Sequence, residues 1–244
     1  MESQAPNIEL NTQAIVVTIQ KLRDRIRERF PASGLSNVAE SLLTLAQQQN
    51  SRMEKLARPI IWVRIIKVFL IALIVIGAAG LLYSAQLPGE IHFFQIIQTF
   101  ESGMNDIIMI GVGIFFMATL EDRLKRREAL KSIHVLRSIA HVIDMHQLTK
   151  DPDRTARYLV DTASSPKLDL DRYQLSRYLS YCSEMLSLVG KLAALYLKQL
   201  DDPSVLDAVN EIEDLTTGLS GKIWQKIVLL DNMNAKLARA AQIQ

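Results

Sequence analysis

From Val68 to Asp122 the chain carries no lysine or arginine, although it has 28 of them elsewhere. A base at the centre of a membrane helix costs about 2.5–3.5 kcal/mol on insertion scales, so a basic-free gap of this length marks where a chain meets lipid. Inside the gap, Val68 to Gln86 (VFLIALIVIGAAGLLYSAQ) is 19 uncharged residues. As a helix it measures about 28 Å, close to the roughly 30 Å hydrocarbon thickness of a bilayer. A buried core helix seldom runs so far without a charge. The stretch reads as a first transmembrane span at about residues 66–86.

The second apolar run, Ile107 to Leu120, has 14 uncharged residues, about 21 Å of helix, too short alone. Extending it to Gly103 gives a span at about 103–120 and brings Asn105 and Asp106 to the membrane boundary. Asp106 is thereby a candidate functional carboxylate, for ion attraction, proton sensing or a hairpin contact. Bilayer thinning or helix tilt that lets it reach water is the plainer reading. Upstream, Ile91 to Phe100 mixes aromatic and aliphatic residues with glutamine, as an interfacial helix does, and Pro88-Gly89 signals a turn before it.

The flanks set orientation. Arg52, Lys55, Arg58, Arg64 and Lys67 precede the first span, Arg123, Lys125, Arg126, Arg127 and Lys131 follow the second, and the short extracytoplasmic loop has acids but no base. The positive-inside rule places both termini in the cytoplasm of a multi-pass protein of the cell inner membrane. The first 14 residues are polar, so no secretory signal is expected and the first span stays in the mature protein.

Outside the gap the pattern is helical throughout. Ile15, Ile19, Leu22, Ile26 and Phe30 form one stripe, with Arg23, Arg25, Arg27 and Arg29 around the rest. PASG at 31–34 ends that helix. Leu35, Val38, Leu42, Leu45, Met53 and Leu56 follow at near-heptad, coiled-coil-like spacing with Gln49 in the gap, and Pro59 opens the helix into the membrane. No proline or glycine occurs from Ile114 to Asp151. The second span is therefore expected to continue into the cytoplasm with Leu120, Leu124, Ile133, Leu136, Ala140 and Ile143 as its seam. A short helix (DRTARYLVDTA) and a loop at Ser164-Ser165-Pro166 come next. Two long helices close the chain, one capped by Asp169 or Asp171 and carrying Leu175, Leu179, Cys182, Leu186, Val189 and Tyr196 on one face. The other starts at Pro203 with Val205, Val209, Ile212, Leu219, Ile223, Ile227, Leu230 and Leu237. Asp201-Asp202-Pro203 between them is short enough to force antiparallel packing. The expected fold is all-α, a two-span transmembrane helical hairpin with a cytoplasmic antiparallel helical bundle. Residues 1–64 are amino-terminal cytoplasmic helices, 65–122 the hairpin and 123–244 the bundle.

Chemistry is sparse. A net charge of +2 gives no electrostatic case for nucleic acid. One cysteine and four histidines exclude disulfides within the chain and Cys-rich zinc frameworks. No cofactor is expected, since GxGxxG and GxxxxGK[ST] are absent. His134, Arg137, His141 and Asp144 share a helical face, with His146 pointing elsewhere, and His141 and Asp144 are the candidate metal ligands. Arg137 among them opposes a cation, so an interhelical hydrogen-bond or salt-bridge network is the first reading. Cys182 lies on an apolar face and reads as core. Arg123, Lys125, Arg126 and Arg127 fix topology and can meet anionic lipid headgroups. Gly77, Ala78, Ala79, Gly80, Gly111 and Gly113 let membrane helices approach closely, which suits a homo-oligomer or a protein partner held by helical packing. The function expected is a non-enzymatic membrane scaffold, signalling or regulatory protein. The alternatives are an oligomeric pore or transport accessory subunit with Asp106 near a polar path, and a membrane-tethered metal-dependent enzyme using His141 and Asp144.

Overall fold

In the computed structural model the described residues are 10–57, 60–84, 93–155, 163–165 and 169–241, and every element among them is helical. The helices are α1 (Thr12–Arg29), α2 (Gly34–Ala57), α3 (Ile61–Ser84), α4 (Phe93–Leu148), α5 (Arg172–Ala194) and α6 (Pro203–Ala241). Short 3₁₀ turns occupy Pro152–Thr155 and Leu195–Lys198. Pro59, Pro88-Gly89 and most of the expected short helix after Asp153 lie outside the described residues. The chain divides into two units, one of residues 1–55 with 128–244, the other of residues 56–127.

The first unit is built from the expected stripes. Asn11 caps α1 by accepting from the amides of Gln13 and Ala14, and Ile15, Ile19, Leu22, Ile26 and Phe30 are all buried. The α1–α2 turn uses Ala32 at φ 57°, a left-handed conformation uncommon outside glycine. Asp171 caps α5 in a capping box with Gln174, two orphan amides being satisfied reciprocally. Packing of α5 against α6 forms the centre of the core, with Leu175, Leu179, Cys182, Leu186 and Val189 meeting Val205, Val209, Ile212 and Ile223 in burial. Gly190 allows the close approach, because a Cβ there would sit 3.3 Å from Thr216 Oγ1. α1 also packs on α5, where Phe30, just past the end of α1, meets the rings of Tyr178 and Tyr181 edge-on.

Two seams differ from expectation. In α2 the buried row is Leu35, Val38, Ala39, Leu42, Leu43, Ala46, Gln49 and Met53, a 3.6-residue stripe, while Leu45 is only half-buried. The wider stripe reflects packing on several helices rather than on one coiled-coil partner. In α4 the seam starts at Ala129 and runs through Ser132, Ile133, Leu136, Ile139, Ala140 and Ile143, while Leu124 is exposed. That change falls at the boundary between the units.

In the second unit two contacts link the α3 segment to the first part of α4. The Ile60 amide donates to Glu121 Oε1 (3.3 Å) near one end, and Gly113 lies 3.9 Å, measured from a notional Cβ, from Leu70 Cδ1 further along. The residues at 93–100 are not a separate interfacial helix: α4 runs from Phe93 without a break. Among the described residues one helix stretch, Phe100–Leu148, is long and apolar enough to cross a membrane, and none of its apolar window is buried. In α3, Ile65, Val68, Phe69, Val75 and Ile76 are also exposed.

Candidate functional site

On the α4 face singled out from sequence, the structure separates the four residues. Arg137 Nη1 reaches Glu211 Oε2 of α6 at 2.9 Å, an interhelical ion pair at the surface. Asp144 accepts from Gln147 Nε2 at 2.7 Å, and Gln147 in turn takes Lys226 Nζ of α6 on its side-chain oxygen (2.8 Å) and its backbone carbonyl (2.9 Å). His134 and His141 are exposed, and His146 is half-buried against Gly34 at the start of α2. No group of three or more His, Cys, Asp or Glu side chains gathers to hold a metal among the described residues.

The polar chain Asp144–Gln147–Lys226 ends near Cys182. Burial pushes that thiol up to about 12, against the pull of Lys226 and Lys150. Burial likewise lowers Lys226, opposed by Asp151, Asp144 and Cys182, and raises Tyr178. A thiol held protonated is a poor nucleophile, so Cys182 acts as a small core residue.

The basic cluster after the second apolar run is only partly available. Lys125 Nζ pairs with Glu121 Oε1 at 3.0 Å, the same oxygen that takes the Ile60 amide. Arg123 and Arg127 are exposed and Arg126 is half-buried. Asp106 falls within α4, its side chain lying outside the described residues. Of the small residues in the apolar helices, Gly113 faces Leu70, whereas at Gly77, Gly80 and Gly111 no atom of another described residue, their own helix backbone apart, lies within 4 Å of where a Cβ would stand.

A cluster that sequence reasoning passed over lies between α1 and α5. Arg25, Glu28 and Arg29 of α1 and Arg177 and Tyr181 of α5 line a cleft of about 430 Å³. The guanidiniums of Arg25 and Arg177 stand 5.7 and 5.2 Å from the centre of the Tyr181 ring. Arg29 lies 5.7 Å from the centre of the Tyr173 ring and 3.5 Å from its hydroxyl, the outer limit of a hydrogen bond. Arg25 pairs with Glu184 at 2.7 Å. Spacing carried half of the signal, placing Arg25 and Arg29 at i,i+4 on one helix and Tyr173, Arg177 and Tyr181 at i,i+4,i+8 on another, but not that the two faces meet.

Comparison with protein families, curated protein sequences and solved structures finds no match.

Proposed function

We propose that the chain is a two-span membrane protein, both termini cytoplasmic, whose helical bundle serves as a non-enzymatic scaffold, signalling or regulatory module of the cell inner membrane. The carrying observation is the exposed apolar surface of α3 and the first part of α4, concentrated in the segment that has no lysine or arginine. In water that surface would be a severe aggregation liability; in lipid it is the expected exterior. The bases at Arg64 and at Arg123 to Arg127 support the orientation.

Among the described residues the space beside Gly77, Gly80 and Gly111 is open, which suits close approach by a helix of another molecule and supports a homo-oligomer or a protein partner. Exposed Met145, Leu148, Trp224 and Val228 extend the same need for a partner into the bundle. Reporter fusions test the topology. A fusion at residue 244 should report the cytoplasm and one within residues 86–100 the opposite side. An exported carboxyl-terminal reporter would refute the orientation.

A further inference from the structure

We infer that the cleft between α1 and α5 binds a small phosphorylated ligand with a planar organic body, of mononucleotide size, through Arg25, Arg29 and Arg177. Three guanidiniums converge there, and guanidinium is the side-chain group whose planar fork of N–H donors best matches phosphate oxygens. Their partners inside the chain leave capacity for a ligand. Arg25 spends one nitrogen on Glu184, Arg29 interacts with the hydroxyls of Tyr173 and Tyr181, and Arg177 Nε is shut off from solvent, so a ligand would meet the remaining guanidinium nitrogens of each. Like charges at i,i+4 on α1 and a third across the cleft repel one another, and a bound dianion removes that repulsion.

The size and the rest of the lining argue for more than inorganic phosphate. A cleft of about 430 Å³ lies in the range of sites for small organic ligands. Tyr173, outside the lining but against its Arg29, is 64% exposed, so its ring would offer a stacking surface for a planar base extending from the cleft. Glu28, an acceptor-only carboxylate, would oppose a bare anion but suits hydroxyl or amino donors on the ligand's body. The chain has no glycine-rich phosphate loop, so side chains would do the binding. This site stands independently of the membrane topology.

Calorimetric titration of the full-length chain in mild detergent tests it, using adenosine, guanosine, cytidine and uridine 5′-monophosphates, the corresponding nucleosides and inorganic phosphate. At least one monophosphate should bind, with its nucleoside and inorganic phosphate each at least tenfold weaker. Arg177→Gln and Arg29→Gln should each weaken that monophosphate at least tenfold, and Arg177→Lys should not restore it. Arg29 is exposed, so its variant keeps the test decisive should Arg177→Gln fail to fold. Tyr173→Ala should weaken the monophosphate and leave inorganic phosphate unchanged. Absence of binding by all four, affinity unchanged in Arg29→Gln, or inorganic phosphate binding as tightly would each overturn the proposal. So would binding found only with phosphoinositide-containing vesicles.

Discussion

Gln49 offers the sharpest test of the packing. It sits at an apolar position of α2, only 4% exposed, so completing the stripe with leucine looks stabilising from sequence alone. The structure reverses that expectation. Gln49 Nε2 donates to the Leu192 carbonyl at 2.7 Å, close to the end of α5, where the last four carbonyls of a helix lack intrahelical amide partners. Gln49→Leu removes the donor and leaves a buried carbonyl unsatisfied, at about 1–3 kcal/mol. Overpacking would not account for the loss, because a small void of about 10 Å³ lined by Leu45, Gln48, Gln49, Ser132, Val135, Leu136 and Tyr196 adjoins the site. Gln49→Glu should be worse at neutral pH, since a carboxylate would face a carbonyl oxygen, and should recover on acidification as the protonated acid becomes a donor. Amide hydrogen exchange in α2 and at the end of α5 is the assay. A loss of about 2 kcal/mol corresponds to roughly thirtyfold faster exchange where opening is local. Exchange in Gln49→Leu as slow as in the wild type would refute the capping role.

Gly34→Ala should be destabilising, by about 1–3 kcal/mol, because its Cβ would collide with the His146 ring, and His146→Ala should relieve most of that cost. A double-mutant cycle read by thermal unfolding should give a coupling near 1 kcal/mol, and strict additivity would exclude the contact. Cys182 keeps its proton in the folded chain up to about 12, whereas its ordinary value is 9.0. Its contribution is therefore complete below pH 9 and is lost as pH rises from 9 toward 12, with a slope of up to about 1.4 kcal/mol per pH unit. Tyr178, also raised, acts in the same direction, and Lys226, lowered, acts in the opposite one below 10.5. Cys182→Ala should flatten the decline in urea-unfolding stability between pH 9 and 11 whatever its pH-independent cavity cost. Parallel pH profiles would rule the assignment out.

What was legible in the sequence follows from periodicity and caps, both of which are local. The stripes of α1, α5 and α6, the Asp171 cap and the short α5–α6 connection could be read because each depends on residues within a few positions. The end of the α4 seam could not. Leu124 keeps helical spacing with Leu120, yet it is exposed, because burial depends on a partner helix that spacing does not identify. The role of Gln49 was hidden for the same reason, its acceptor being a backbone carbonyl 143 residues away. The arginine cleft emerges only once α1 is laid on α5, which no local pattern specifies. The four residues of the α4 face were correctly placed together on one helix. Which would find partners depended on α6, which supplies Glu211 to Arg137 and Lys226 to Gln147.

The placement of α1 on α5 also sets an order of events during synthesis. Arg25 and Glu184 are 159 residues apart. At about 5–20 residues per second, the first helix waits on the order of ten to thirty seconds for the surface that buries it. On the proposed topology both apolar helices have left the ribosome by then, so insertion into the bilayer commits the chain before its bundle can close. The arginines along α1 then have an early task as well, keeping a helix with an uncovered apolar stripe in solution until α5 is made. The α5–α6 pair, the most extensively packed of the bundle and joined by a short connection, is complete only when the last helix has been made.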